Sequence, residues 1–172
     1  VIFIKKSNLI IDNQQNFIDC IKESTGKLQQ IFGTNDYTKL YRQYNIFGVT
    51  ATNILMYSLF NELKTLVRAE IGNDRPLWMQ SWVNYQDCNS LLPWHDHKWE
   101  WHGYICIEPK NTVTVFEDWE IHNKVGQIYF GEGHKPHRVD AVEPFDGHRI
   151  TIGYDVTSVQ NRQSPYLGLI PF

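Results

Sequence analysis

The stretch "GQIYFGEGHKPHRVDAVEPFDGHRITIGYDV", residues 126 to 156, decides the fold. Its two ends, "GQIYFG" (126–131) and "HRITIGYDV" (148–156), are short and rich in β-branched and aromatic residues, as strands are. Gly- and Pro-containing turns and the brief run "HRV" lie between them. The same rhythm extends upstream. "LWMQSWVNYQ" (77–86) is strand-like, "HGYICIEP" (102–109) ends at a proline, and "TVTVFE" (112–117) alternates apolar with polar. Several short strands at this spacing predict an antiparallel sandwich or barrel of the jelly-roll kind.

Before residue 75 the pattern is helical. "VIFIKK" (1–6) reads as a short strand. Asp12 or Asn13 can cap a helix running to about Ile31, with Phe17, Ile18, Ile21 and Leu28 at helical spacing, and Gly33 ends it. Thr50 or Thr52 can cap a second helix carrying Ile54, Leu55, Leu59, Leu63 and Val67, closed by Gly72 and the turn "NDRP". The expected fold is therefore mainly β with N-terminal helices: a double-stranded β-helix, or jelly roll, with the helices packed on the outer face of one sheet. The 172 residues suggest one domain. Residues 1–75 form its N-terminal strand and bracing helices, 76–158 its jelly-roll core, and 159–172 an irregular tail tied down by its apolar end.

Composition narrows the function. A formal charge of −3 and the lack of any Lys/Arg-rich run disfavour nucleic acid as a partner. No apolar segment approaches the roughly 20 residues that span a bilayer. Three cysteines, Cys20, Cys88 and Cys106, without CxxC spacing fit a reducing compartment, so a cytoplasmic protein is expected.

All seven histidines lie between His95 and His148. The segment "PWHDHKWEWHGY" (93–104) alone holds three of them, with two acids and three tryptophans. On a strand, His95 and His97 would point to one face and could converge on one ion. A third ligand must come from another strand, and His137 is the best placed. Neutral imidazole suits Zn, Fe, Cu and Ni, and three protein ligands leave positions for substrate or water. His102, His122, His134 and His148 read as structural or surface residues. Trp94, Trp99 and Trp101 read as core or site wall. Arg149 and Thr151 share a strand face, and an inward arginine needs an anion. Its fork matches a carboxylate, to which the Thr151 hydroxyl could add a hydrogen bond. Asn84 and Tyr104 are further candidates for such contacts.

The segments "WHDH" (94–97), "GQIYFGEGHKPHRV" (126–139) and "GHRITIGYDV" (147–156) together resemble the Fe(II)/2-oxoglutarate-dependent dioxygenases. That family pairs a His-x-Asp/Glu with a distal His after a Gly-x-x-x-x-Phe strand, and an Arg-x-Ser/Thr some ten to thirteen residues later. Here those positions are His95, His137, Arg149 and Thr151. The resemblance spans roughly residues 78 to 156. It implies Fe(II) held by the histidines, 2-oxoglutarate as cosubstrate with its C5 carboxylate on Arg149 and Thr151, O2 as oxidant, and hydroxylation of a small-molecule or peptidyl substrate.

One position departs from the family. Where its second ligand is a carboxylate, this chain has His97. Three arrangements follow: a three-histidine site; Glu100 as ligand in place of His97; or His97 outside the ligand sphere with water in the gap. A neutral ligand at His97 would raise the net charge of the site by one unit. Two other metal chemistries share parts of the pattern. Cupin-type metalloproteins use His-x-His in a jelly roll, and a three-His zinc hydratase or hydrolase needs no carboxylate. Neither accounts for Arg-x-Thr. A non-catalytic binding module on the same fold is a third possibility. The sequence does not name the primary substrate.

Overall fold

The strands of the computed structural model, which describes residues 2–72, 74–159 and 168–172, alternate between two antiparallel sheets. In chain order they are β1 (Phe3–Lys6), β2 (Trp78–Gln86), β3 (Trp101–Glu108), β4 (Thr112–Phe116), β5 (Glu120–His122), β6 (Gln127–Glu132), β7 (His137–Ala141), β8 (Arg149–Thr157) and β9 (Ile170–Pro171). The larger sheet has the order β1-β6-β3-β8-β2-β9 and the smaller β5-β4-β7. An isolated bridge pairs His95 with His137 and extends the smaller sheet by one short segment. The path from β2 through His95 to β8 thus crosses repeatedly between the sheets, which is the winding of a double-stranded β-helix.

The N-terminal segment braces the larger sheet. Its helices are α1 (Asn8–Asp12), α2 (Gln14–Phe32), α3 (Ile46–Val49) and α4 (Ile54–Ile71). The helix expected after Asn13 is α2, with Asn13 at its N-cap position; a separate short helix, α1, precedes it, capped by the Ser7 hydroxyl, which accepts from Ile10 N at 3.4 Å. The helix α4 is capped by neither Thr50 nor Thr52 but by Asn53, whose Oδ1 accepts from Leu55 N and Met56 N at 3.0 and 3.1 Å. Thr50 instead donates to Ile46 O, inside its own turn. Gly33 and Gly72 end the two long helices at φ of 68° and 99°, where a side chain would be strained.

The face of the larger sheet under the helices is apolar. Ile150, Ile152, Tyr154 and Val156 of β8 are fully buried there, opposite Tyr85, Val83, Ser81 and Met79 of β2. Phe17, Ile21, Met56, Leu59 and Leu63 close over them in the main core cluster. Each such aliphatic side chain contributes on the order of 2 kcal/mol by leaving water. Tyr104, Cys106, Phe116, Ile121 and Tyr129 form a second, smaller cluster. Asn73 of the expected "NDRP" turn and residues 160–167 of the tail lie outside the described residues. The end of the tail pairs β9 with β2 and buries Phe172.

Candidate metal centre

The other face of the larger sheet is polar, and register explains its order. Directly paired residues of antiparallel strands point the same way. On β8 the residues of this parity are Arg149, Thr151, Gly153 and Asp155, paired with Gln86, Asn84, Trp82 and Gln80 of β2. On the other flank, His102 and Tyr104 of β3 pair with Asp155 and Gly153. Neighbouring side chains join across the strands. Arg149 donates to Gln86 Oε1 at 3.1 Å, Asn84 Nδ2 to Thr151 Oγ1 at 3.2 Å, and Gln80 Nε2 to Asp155 Oδ2 at 2.9 Å.

The segment carrying His95 and His97 is not a regular strand, contrary to the period-of-two reading. His95 is fixed by the bridge to His137, with His95 N to His137 O at 3.0 Å and His137 N to His95 O at 2.9 Å. His97 is fixed by its N–H to Gly133 O at 2.9 Å. The side chains nevertheless converge: His95, His97 and His137 each offer a ring nitrogen within 4.8 Å of the others. Gly133 belongs to this close fit, since a Cβ there would sit 2.0 Å from Trp99 O.

Each of the three imidazoles has its Nδ1 engaged. His95 Nδ1 lies 2.7 Å from Pro93 O, His137 Nδ1 3.0 Å from Lys135 O, and His97 Nδ1 3.0 Å from Asp155 Oδ1. These acceptors place the proton on Nδ1 and leave the Nε2 lone pair free, the state in which histidine ligates a metal. The Nε2 of His97 is buried and has no hydrogen-bond partner among the described residues. Burial and the neighbouring imidazoles hold His137 down at about 2, and burial first also lowers His95. Both rings are thus neutral at pH 7. The donor set fits a divalent ion of the zinc–iron–copper–nickel group.

A cavity of about 390 Å³ opens beside these rings and runs to Arg149, with Asn84 and Tyr104 on its wall. Arg149 is 1% exposed, and no carboxylate among the described residues pairs with it. Its Nε is buried without a hydrogen-bond partner among the described residues, and burial lowers its pKa. Thr151 is fully buried beside it. Asn84 Oδ1 accepts from Thr38 Oγ1 and Trp82 Nε1 at 2.9 and 3.1 Å, so its orientation is fixed. The Tyr104 hydroxyl donates to Asn123 Oδ1 at 3.0 Å. Glu100 is directed elsewhere: its carboxylate accepts from Thr157 Oγ1, Ser158 Oγ and Ser158 N, outside the histidine cluster.

Two participants were set aside or unnoticed in the sequence. His102, read there as structural or surface, is buried against the site and stacks on His97 with centroids 3.5 Å apart. Asp155 is 2% exposed; it is hydrogen-bonded to His102 Nδ1 at 2.9 Å, and His97 Nδ1 lies 3.0 Å from the same oxygen. Burial alone would raise its carboxyl; the adjoining imidazoles of His97 and His102, with their N–H groups turned to it, outweigh this and hold the group below the usual carboxylate range. The signal was its parity: Asp155 lies on the same face of β8 as Arg149 and Thr151.

No family model matches the sequence, and no curated protein does. Among solved structures, a cupin superfamily protein from Desulfitobacterium hafniense matches at 14% identity and a TM-score of 0.38, over 51% of this chain and 72% of that one. A cupin-2 domain containing protein from Shewanella frigidimarina matches at 18% identity and a TM-score of 0.35, over 56% and 90% of the two chains. The structure of apo-HppE matches at 12% identity and a TM-score of 0.35, over 88% and 99%.

Proposed function

We propose that this protein is a non-haem iron oxygenase that couples the oxidative decarboxylation of 2-oxoglutarate to the hydroxylation of a second substrate, a small molecule or a peptidyl side chain. One observation carries the reading. Arg149 is a fully buried cation with no carboxylate partner among the described residues, in the same cavity as three convergent imidazoles. An unpaired buried charge costs several kcal/mol, so the arrangement makes sense when an anion enters. A dicarboxylate with a 2-keto group satisfies both ends of the cavity: one carboxylate for the guanidinium, and an α-keto acid for an ion on the histidines.

In this reading His95, His97 and His137 hold Fe(II), which supplies the oxidative chemistry together with 2-oxoglutarate and O2. The remaining residues position and protect. Arg149 receives the C5 carboxylate, oriented by its bond to Gln86. Thr151 accepts from Asn84 and retains its own O–H to donate toward that carboxylate. Trp82, Leu92, Trp99 and Val139 line the cavity and keep water from the reacting centre.

The test is an anaerobic titration of the Fe(II)-loaded protein with 2-oxoglutarate, recorded in the visible. Chelation through the carboxylate and keto oxygens gives a weak metal-to-ligand band, and Arg149→Ala is expected to require at least ~10-fold more 2-oxoglutarate to reach it. Iron binding without any band would overturn the proposal and leave a three-histidine hydratase or hydrolase, or a cupin-type metalloprotein, as the better account.

A further inference from the structure

We infer that Asp155 is the anionic partner of the metal centre, acting through His97 and not as a ligand; this rests on the three-histidine reading above. Asp155 is a buried carboxylate for which no lysine or arginine partner exists among the described residues. Its oxygens accept from His102 Nδ1 and Gln80 Nε2, each at 2.9 Å, and His97 Nδ1 lies 3.0 Å from Oδ1 as a third donor. A carboxylate with three donors is held ionised.

Two consequences follow for His97. Its proton is fixed on Nδ1, so its partnerless Nε2 presents a lone pair to the other imidazoles. Its ring plane is fixed as well. His102 lies parallel to it at 3.5 Å and 10°, and the Trp82 ring is 5.9 Å away at 22°. His102 donates to the same Asp155 oxygen, so it keeps that carboxylate in place behind His97.

The charge then balances. A centre of two imidazoles and one carboxylate reduces the +2 of a divalent ion to +1. Three neutral imidazoles alone would leave +2. Three imidazoles with Asp155 hydrogen-bonded behind one of them again give +1. The unit of negative charge missing at position 97 therefore sits one residue further out, at Asp155. Asp155 is a positioning residue, and its effect should appear in metal affinity before any turnover.

Moving the charge tests this. Co(II) affinity is measured by competition with a chelating dye for the parent, Asp155→Asn, His97→Asp, the double variant and His137→Ala. Asp155→Asn is expected to bind Co(II) ~10–100-fold more weakly. His97→Asp places two carboxylates side by side and should also lose affinity and stability. The double variant returns the carboxylate to position 97 and removes its rival, so its affinity should recover to within ~5-fold of the parent, a non-additivity that marks coupling. Asp155→Asn binding as the parent does overturns the inference, and so does a double variant at the sum of the two losses, which is what a merely structural role predicts. If Asp155→Asn does not fold, the double variant is read against His97→Asp alone: tighter binding supports the charge relocation, equal or weaker binding overturns it. His137→Ala separates the two levels. Binding unchanged in that variant means the three-histidine site itself is wrong, whereas binding lost there but intact in Asp155→Asn refutes Asp155 only.

Discussion

Adjacent residues of β8 serve opposite purposes. Ile150, Ile152, Tyr154 and Val156 lie in the apolar core beneath the helices, while Arg149, Thr151, Gly153 and Asp155 point between the sheets. Both sets are buried, yet only one is apolar. The first stabilises by leaving water. Among the described residues the second holds a cation without a carboxylate partner and an anion without a lysine or arginine partner, an arrangement that opposes folding unless each charge is answered. One strand thus carries the support and the chemistry at a separation of one residue, and the stability of one face offsets the strain of the other. Substitutions should sort by face: loss of stability with the site intact on one, altered ligand binding with gained or unchanged stability on the other.

The largest effect is expected at Gly103, on the helix side of β3. A Cβ there would meet Tyr154 Cζ at 2.2 Å and the backbone Tyr129 O at 2.3 Å. Tyr154 also donates to that same carbonyl at 2.8 Å, so Gly103→Ala crowds two strands and breaks a buried bond. A loss of about 4 kcal/mol or more in chemical denaturation is expected. A loss below about 1 kcal/mol would mean that the sheet relaxes and that the faces are less rigidly separated. Next comes Ile152→Ala, which empties a fully buried position among helix-facing residues. It should cost about 3 kcal/mol by denaturation while the folded fraction keeps its metal stoichiometry. Loss of metal at temperatures well below the melt would erase the distinction between the faces.

These assignments show where the sequence was legible. Alternation in "HRITIGYDV" placed Arg149 and Thr151 on one face, and strand alternation survives tertiary context because one face must be buried. The five main strands of the larger sheet and its partner fall within a residue or two of their expected limits, since each is bounded by Gly, Pro or a charged turn. The histidine segment was harder. His95 and His97 meet through a bridge to His137 and a bond to Gly133, contacts made across roughly forty residues that no local period encodes. The helix caps show the same limit on a smaller scale: three polar residues, Thr50, Thr52 and Asn53, compete within one turn, and the geometry of the approach selects Asn53. His102 looked like one more histidine because its significance lies in what faces it, Asp155, fifty-three residues away. The charge expected around His97 also changes on the inference drawn above, which assigns to Asp155 the unit of negative charge that a carboxylate at position 97 would carry.

On the site face, Arg149→Met should have the opposite sign to Ile152→Ala. It removes a fully buried charge whose only described donor bond goes to Gln86 Oε1. Replacement of buried ionic groups by apolar ones of similar volume is often stabilising by ~1–4 kcal/mol; the orphaned Gln86 oxygen takes back ~1 kcal/mol or more. A gain of about 1 kcal/mol is expected in the absence of 2-oxoglutarate, together with loss of the stabilisation that 2-oxoglutarate gives the parent. Equal destabilisation with and without 2-oxoglutarate would instead assign Arg149 to the architecture.

The smallest effect sharpens the comparison through pH. The histidines with neutral forms favoured by burial lie on the site side: His102 is held at about 4, by burial and then by His97, and His137 at about 2. An unfolded histidine titrates near 6.5. Their folded values lie below this, so the unfolded chain binds more protons as the pH falls, and stability declines from about pH 6.5 downward. For His102 alone the loss between pH 7 and pH 6 is about 0.7 kcal/mol, approaching about 1.4 kcal/mol per unit until the folded value near 4 is reached. His137 adds a similar slope over a longer range. Asp155 acts in a different window. Its folded value is depressed, so its contribution is present above the unfolded carboxyl value near 3.9 and is lost only below it. Denaturant unfolding of chelator-treated protein between pH 8 and pH 5 should therefore be flat at first and then fall. A mutation on the helix face, such as Ile152→Ala, should lower that curve without changing its shape, whereas His102→Asn should reduce its slope. A curve that stays level to pH 5 would mean that the imidazoles accept protons in the folded state, and the site face would then be wetter than its burial indicates.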